Sequence, residues 1–180
     1  MKIRLPVGHL ESGDEVFMRS FATGYNLPEG AIMVELGSFK GRSACCWIQG
    51  LKQIKGKLIT IDTHKDCTDT CGFTGVEYVQ NINNNNLFGD IIHIIGDFNE
   101  VRKFFSCEVD SIFIDGLHEY EDVSNDFEQW SNLIKKGGFL IFHDYANDFP
   151  GVQKLVNEIK DYAEWEFIEH VARLAVFKRL

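Results

Sequence analysis

Residues 111–145, SIFIDGLHEYEDVSNDFEQWSNLIKKGGFLIFHDY, decide the fold of this chain. They contain two short apolar runs, 111–115 and 138–143, and each run ends in ionisable residues. Between the runs, apolar side chains recur at helical spacing with polar side chains between them, which predicts an amphipathic helix over 120–135. The Lys-Lys-Gly-Gly run that follows is typical of a helix end. The stretch therefore predicts a strand, a helix and a second strand.

The same alternation extends from this stretch in both directions. Further strands are predicted at 31–36, 57–62 and 90–95, and further helices at 42–54, 75–83, 98–105 and 151–163. Strands that are apolar throughout and separated by helices imply a parallel sheet with helices on both faces. Two β-rich runs at the end of the chain, EWEFIEH and VARLAVFKR, predict an antiparallel hairpin. We therefore predict an α/β fold, a doubly wound and mostly parallel seven-stranded sheet with a C-terminal antiparallel hairpin.

Length, charge and hydropathy restrict the class of protein. The 180 residues are enough for one domain with a sizeable core, so we expect a single domain over 1–180, with an N-terminal helical cap over 1–30 and a core over 31–180. The net charge of −9 argues against a nucleic-acid partner, because phosphate backbones attract clustered Lys and Arg. No segment approaches the ~20 apolar residues of a membrane helix, and the first residues lack a signal-peptide core. We expect a cytoplasmic protein with no membrane partner.

Five cysteines, an odd number in a chain without an export signal, do not indicate a disulfide framework. His64, Cys67 and Cys71 form an H-x2-C-x3-C pattern that resembles half of a zinc site. No second pair of Cys or His residues follows at the spacing of a zinc finger, which favours an ordinary loop. The role of this loop stays open.

The first predicted strand leads into VELGSFKGRSACC, in which Gly37 and Gly41 are four residues apart. Ligands of open α/β sheets bind beyond the carboxyl ends of the strands, near this first turn. The glycine spacing fits neither a dinucleotide fingerprint nor a P-loop. The carboxylate of Glu35 repels phosphate and suits a cation, so the loop favours a positively charged ligand without phosphates. The alternative is that Glu35 caps the next helix.

Residues at two further strand ends indicate which other groups this ligand carries. Asp62 ends the second strand, where an acid commonly accepts from ribose hydroxyls, although it could also be a turn residue. After the third strand, Asp97 could accept from an exocyclic amine and Phe98 could flank a purine ring. The alternative for Asp97 is a helix N-cap. A ligand with an adenine, a ribose and a cationic tail is S-adenosylmethionine.

Three segments carry a resemblance: VELGSFKGRS, IDTH, and the IDG-x-H-x-Y…GG…HDY combination, which is the most specific of them. Over 31–145 the chain resembles class I S-adenosylmethionine-dependent methyltransferases, especially a bacterial branch similar to macrocin O-methyltransferase and the cephalosporin-hydroxylase-like proteins. The residues that we expect to bind the cofactor are Glu35, Gly37, Ser38, Gly41, Arg42, Ser43, Asp62, Thr63, Asp97 and Phe98.

The resemblance also implies a metal site. In metal-dependent members, a carboxylate after the fourth strand and an acidic pair after the fifth hold a divalent cation, and these positions fall on Asp115 and on His143 and Asp144. An imidazole among carboxylates favours manganese, iron, nickel or zinc over magnesium. His118, three residues after Asp115, is the candidate general base or a further ligand. The alternatives are that His118 orients its loop and that His143 is a hydrogen-bonding partner of Asp115.

We therefore expect methyl transfer to an oxygen of a small-molecule acceptor such as a sugar or secondary metabolite, with Asp115 and His118 catalytic and a divalent cation (Mg, Mn or other) assisting. Three alternatives stay open: a non-catalytic S-adenosylmethionine-binding protein, a metal-dependent hydroxylase- or hydrolase-like enzyme on the same fold, and an NAD-dependent oxidoreductase. Tyr120 and Tyr145 are candidates for the acceptor pocket. A lid must come from the N-terminal helix, the loop over 63–75 or a second subunit, so a homodimer is also an open expectation.

Overall fold

The computed structural model describes residues 3–65 and 72–180, and the strands among them form one sheet. The strands are β1 (Ile32–Leu36), β2 (Lys57–Asp62), β3 (Ile91–Ile95), β4 (Val109–Ile114), β5 (Ile134–Phe142), β6 (Trp165–Val171) and β7 (Leu174–Arg179). Their order is β3-β2-β1-β4-β5-β7-β6, with β1 to β5 parallel and β7 antiparallel to both β5 and β6. The predicted fold class, a mostly parallel seven-stranded sheet with an antiparallel C-terminal pair, is confirmed.

Helices cover both faces of the sheet. They are α1 (Ser12–Gly24), α2 (Arg42–Leu51), α3 (Gly75–Asn84), α4 (Phe98–Arg102), α5 (Tyr120–Trp130) and α6 (Pro150–Ile159), with short 3-10 turns at Lys52–Ile54 and Ser131–Leu133. Successive strand residues point to opposite faces, so Phe113 of β4 joins a core cluster with α1, α2 and α3. Its neighbours Ile112 and Ile114 join a second cluster with α5 and α6. In the described parts of the chain, the helices are too short or too polar to cross a bilayer.

Helix α1 lies against the first of these core clusters. Phe21 of α1 packs edge-on against Trp47 of α2 and Phe139 of β5, with ring centroids 5.5 Å apart in each pair. Burial of aromatic rings is a large favourable contribution, which fixes the helix to the sheet. The first turn of α1 is thereby placed beside the carboxyl ends of the strands.

The stretch over 131–138 differs from its prediction. The helix predicted over 120–135 ends at Trp130, and Ile134 already pairs with Val109 of β4. The Lys-Lys-Gly-Gly run therefore lies inside β5, where the register shifts, and its interpretation as a helix end was wrong. Gly137 has a φ of +79°, and a side-chain carbon on Gly138 would lie 2.6 Å from the carbonyl oxygen of Asp110. The glycines allow the strand to bend without losing its partner.

Candidate active site

The glycine loop, residues 37–41, connects β1 to α2 and packs against the residue that follows β4. Gly37 has a φ of +89°, and a side-chain carbon there would lie 2.0 Å from the carbonyl oxygen of Asp115, so only glycine fits. The backbone N–H of Asp115 donates to the carbonyl of Leu36 at 2.8 Å. Gly41, the N-cap of α2, donates its N–H to the carbonyl of Ser38 at 2.7 Å, which closes a tight turn. The loop that we expect to bind the cofactor therefore touches the first residue of the acidic cluster.

Two buried polar side chains beside this loop are unpaired. Glu35 is fully buried, and within the described residues neither of its carboxyl oxygens has a hydrogen-bond partner. The hydroxyl of Ser38 is also buried and unpaired there. Burial raises the pKa of the Glu35 carboxyl well above its ordinary value. The nearby hydroxyl of Ser43 opposes this rise without reaching hydrogen-bond geometry, and the charges of Asp115 and Asp62 add to it. Unpaired buried polar atoms are costly, which indicates a site for a ligand with hydrogen-bond donors or positive charge. The alternative that Glu35 caps α2 is wrong, because Gly41 is that N-cap.

Asp62 fastens the glycine loop to the end of β2. One carboxylate oxygen accepts from the backbone N–H groups of Ser38 (2.7 Å) and Phe39 (2.8 Å), and the other accepts from the N–H of His64 (2.7 Å). The neighbouring Thr63 accepts a backbone N–H two residues further on at 3.2 Å. Asp62 therefore orders two turns at once, and its expected contact with a ribose stays a prediction.

Arg42 contacts the N-terminal segment through its side chain. Its Nε donates to Glu15 of α1 at 2.9 Å and its Nη1 donates to the carbonyl of Pro6 at 2.6 Å. The guanidinium therefore holds the N-terminal segment, and the expected contact of Arg42 with the cofactor stays a prediction. Ser43, in the same turn of α2, is buried.

Asp97 begins α4, as its alternative interpretation expected. Its Oδ1 accepts from the backbone N–H groups of Asn99 (2.9 Å) and Glu100 (3.2 Å), so the N-cap is confirmed. Its role toward a cofactor amine stays a prediction. Phe98 is half-buried, and a side-chain carbon on Gly116 would lie 2.9 Å from its ring. The ring therefore lies directly beside the backbone that follows β4.

Asp126 is a buried acid that our sequence interpretation missed. It lies on α5 beside Gly116, where an added side-chain carbon would be 3.2 Å from its carboxylate. Burial and two nearby carboxylates raise its pKa to about 7. A signal was present, because Asp126 is three residues after Val123 and four before Trp130 and so occupies a core position of the helical stripe.

Asp115, His118 and Asp144 converge at the ends of β4 and β5. Each offers one ligand atom, and these three atoms lie within 4.8 Å of one another. His118 Nε2 is 2.8 Å from Asp144 Oδ2, and its ring lies 4.2 Å from that of Phe149. The hydrogen bond to Asp144 raises the pKa of His118. Asp144 itself has a φ of +55°, a backbone conformation that costs energy for a non-glycine residue.

His143 takes a different position from the one that we expected. Its Nδ1 lies 3.1 Å from Asp115 and 3.2 Å from Asp144, and its Nε2 lies 3.4 Å from Asp14. Burial disfavours its charged form, but these three carboxylates raise the pKa of His143 to about 12. The converging donor atoms belong to Asp115, His118 and Asp144, and the ring of His143 forms ion pairs with the two carboxylates of this set. The expected role of His143 as a metal ligand stays a prediction.

Asp14 and Arg173 support this cluster from the two ends of the chain. Asp14 of α1 is fully buried and accepts from the backbone N–H groups of Glu11 (2.9 Å) and Arg173 (3.0 Å). The Nε of Arg173 donates to Asp144 at 2.9 Å. Our sequence interpretation missed both residues, because their partners lie up to 159 residues away and leave no local pattern.

The remaining sequence candidates lie at the edge of the site. The hydroxyl of Tyr120 donates to Glu158 at 2.7 Å, and that of Tyr145 donates to Asn157 at 2.9 Å. Both hydroxyls thus contact α6, and their expected role toward an acceptor stays a prediction. Cys67 and Cys71 lie outside the described residues.

The sheet order and the glycine loop beside an acidic cluster define a class I S-adenosylmethionine-dependent methyltransferase fold. The family model described as "Methyltransferase domain" matches residues 34–145, and the chain belongs to that family. The chain is 31% identical over 152 residues to the uncharacterized protein R132 of Acanthamoeba polyphaga mimivirus, a match that covers 74% of this chain and 64% of that protein.

Two solved structures show the same fold. A putative O-methyltransferase from Klebsiella pneumoniae has a TM-score of 0.75 at 12% identity, covering 97% of this chain and 83% of its own. The O-methyltransferase from Bacillus cereus in complex with SAH has a TM-score of 0.71 at 16% identity, covering 97% and 84%. At such low identity the likeness extends to the fold alone.

Proposed function

We propose that this protein transfers a methyl group from S-adenosylmethionine to an oxygen of a small-molecule acceptor. Asp115, His118 and Asp144 hold a divalent cation in this proposal. The observation that carries it is the contact between the glycine loop and the acidic cluster, where Gly37 packs against the carbonyl of Asp115. That contact supports the proposal, because it brings the candidate cofactor loop next to the candidate metal ligands, and methyl transfer needs such proximity.

The side chains of the loop fit the proposed cofactor. The carboxyl of Glu35 and the hydroxyl of Ser38 are buried and unpaired, and a cofactor with an ammonium group and a sulfonium would supply donors and positive charge to them. Binding of such a cation lowers the pKa of a neighbouring carboxyl, so Glu35 would ionise as the ligand enters.

The acidic cluster fits the proposed cation. Two carboxylates and one imidazole within 4.8 Å are suitable ligands for manganese, iron, nickel or zinc. A divalent cation at this position would lower the pKa of a bound hydroxyl and direct its oxygen toward the methyl group. Arg173 and the imidazolium of His143 balance the negative charge of the carboxylates from the protein side.

His118 has one of two roles in this scheme. The hydrogen bond to Asp144 raises its pKa, which favours the protonated ring over the neutral one. Loss of that proton makes Nε2 available as a metal ligand or as a base. We propose the ligand role, because Nε2 belongs to the cluster of converging donor atoms.

Calorimetry tests the cofactor half of the proposal. We expect the protein to bind S-adenosylmethionine and S-adenosylhomocysteine, and Glu35→Gln to weaken S-adenosylmethionine binding by about tenfold or more, because a charge-assisted interaction is lost. Glu29→Gln is the matched control, since the Glu29 side chain is 69% exposed. No binding of either compound at millimolar concentration would refute the proposal.

Binding measurements together with an assay of product release distinguish the alternative functions. A hydroxylase- or hydrolase-like enzyme would bind metal at the cluster without binding S-adenosylmethionine. A non-catalytic protein would bind the cofactor and release no S-adenosylhomocysteine with any acceptor. An oxidoreductase would bind NADH, which the carboxyl of Glu35 disfavours. Chelation should abolish transfer if the cation assists it, and full activity in chelator would refute the metal role.

We further propose that the acceptor is a sugar or secondary metabolite and that the chain belongs to the macrocin-like branch. The IDG-x-H-x-Y…GG…HDY combination supports the branch. The net charge of −9 supports a protein that binds neither nucleic acid nor an anionic membrane surface. A cytoplasmic location stays a prediction. A homodimer stays a prediction, to be tested by light scattering.

A further inference from the structure

A second histidine cluster lies between the loop that follows β2 and the middle of β3, on the other side of the glycine loop. His64 is 2% exposed and has a φ of +54°. Its Nε2 lies 2.9 Å from the Nε2 of His93, which is in the middle of β3. The two rings are tilted by 59° with centroids 4.9 Å apart, so they meet by their nitrogen atoms rather than by stacking.

A threonine hydroxyl lies within hydrogen-bonding distance of the second ring nitrogen, Nδ1, of each histidine. The Nδ1 of His64 is 2.9 Å from the hydroxyl of Thr74, and the Nδ1 of His93 is 2.8 Å from the hydroxyl of Thr60. The hydroxyl of Thr60 is in turn 2.7 Å from that of Tyr78. Metal-binding histidines are typically oriented in this way, with the second ring nitrogen bonded to a fixed polar group.

The surroundings of both imidazoles favour the neutral form. Burial lowers the pKa of His64, and burial together with the neighbouring imidazole lowers the pKa of His93 to about 4. The neutral ring is the form that binds a metal.

We propose that the Nε2 atoms of His64 and His93 bind a zinc ion. Zinc binds imidazole nitrogen at about 2.0–2.1 Å in tetrahedral geometry, which separates two such nitrogens by about 3.3 Å. The rings therefore need to move apart by roughly 0.4 Å, a small shift for a side chain on a loop. Zinc accepts water at its other positions.

No proton has to leave the pair when zinc binds. Without metal, one Nε2 carries a hydrogen and donates it to the other. With zinc, each ring carries its hydrogen on Nδ1 and donates it to a threonine hydroxyl, which can act as donor or acceptor. The chain from Tyr78 through Thr60 to His93 can reverse its direction to allow this change.

Zinc at this position would stabilise the cofactor loop. The N–H of His64 donates to Asp62, whose other carboxylate oxygen holds Ser38 and Phe39. The proposal does not depend on methyl transfer, because it concerns the folded chain alone.

The test counts zinc in a background that lacks the other candidate site. In Asp115→Asn/His118→Ala protein, loaded with zinc chloride and dialysed, we expect about one bound zinc per chain by mass spectrometry. Adding His93→Asn keeps an amide near the position of Nδ1 and removes Nε2. It should lower zinc affinity by about a hundredfold or more, because loss of an outer-shell partner alone costs about 10–100-fold. His170→Asn, at an exposed histidine of β6, is the matched control and should retain the zinc.

A background protein without zinc, or a His93→Asn variant that retains it, would overturn the proposal. Circular dichroism checks that the variant folds. If it does not fold, X-ray absorption at the zinc edge of the zinc-loaded background protein decides instead. A contribution to the X-ray absorption spectrum from imidazole rings bound to zinc supports the site at His64 and His93. A spectrum without that contribution refutes it.

Discussion

The two histidine clusters of this protein lie on strands of one sheet and in the loops that follow them, and they favour opposite charge states. His143 lies among three carboxylates, which raise its pKa to about 12 and make it a cation. His93 lies among hydroxyls and a second imidazole, and its pKa is lowered to about 4, which makes it neutral. The two residues have the same titrating group, so the difference arises from their neighbours. A histidine in or beside this sheet therefore supports either a charged or a neutral site, depending on the acids around it.

The largest expected effect comes from removing the first acid of the charged cluster. Asp115→Ala should lower methyl transfer by about a thousandfold or more, since a lost metal ligand removes several kcal/mol of transition-state stabilisation. Binding of S-adenosylmethionine should change little. Turnover is measured as S-adenosylhomocysteine release over a panel of hydroxyl acceptors, and binding by calorimetry. Activity within tenfold of the native protein would remove Asp115 from the mechanism.

The next effect concerns the buried support of His143. Asp14→Asn should lower the free energy of unfolding by about 3 kcal/mol, because it removes one partner of a buried ion pair. Urea denaturation measures the change. Glu11→Gln is the control, since Glu11 lies 3.6 Å from Arg173 with a side chain that is 58% exposed, and it should cost much less. Equal effects of the two variants would contradict a special role for Asp14.

The opposite charge states predict opposite pH dependence of stability. The pKa of His143 is raised on folding, so its contribution is complete below the unfolded pKa near ~6.5 and is lost as pH rises toward the folded value. The pKa of His93 is lowered, so its contribution is present above ~6.5 and is lost as pH falls toward about 4. Urea denaturation from pH 4.5 to 9.5 should show that His143→Asn removes the alkaline slope and His93→Asn the acidic slope. Unchanged slopes in both variants would show that the two environments do not differ as described.

The smallest expected effect belongs to a strand-end acid outside both clusters. Asp97→Ala should cost about 1 kcal/mol of stability, as the loss of a helix cap does. Calorimetry of the same variant with S-adenosylmethionine then tests whether Asp97 also binds the cofactor. A clear loss of S-adenosylmethionine affinity would give Asp97 a cofactor role in addition to the cap, and unchanged affinity would leave it the cap alone.

Local patterns explain how much of this fold could be predicted from the sequence. The alternation of apolar strands and amphipathic helices is a short-range signal, and it predicted the sheet and its terminal hairpin. The limit of α5 was misjudged because Lys-Lys-Gly-Gly is typical of a helix end, whereas pairing of Ile134 with Val109 determines the structure. Pairing between distant strands leaves no mark in a window of ten residues.

The candidate site shows the same division. Asp115, His118 and Asp144 follow apolar runs directly, so the sequence predicted that they would meet at one edge. The choice of His118 over His143 as the third donor depends on which way each side chain points, and Asp14 of a distant helix influences that direction. His93 was missed because one histidine in an apolar strand has no local partner, and its partner belongs to another strand end.

The bond from the backbone of Arg173 to Asp14 has a consequence for the order of events in biosynthesis. It joins residues 159 positions apart, and the same arginine holds Asp144. During translation, the ribosome must therefore deliver the last hairpin before the acidic cluster can adopt its final arrangement. The strands of the nascent sheet can begin to pair while the acidic cluster at their ends is still incomplete.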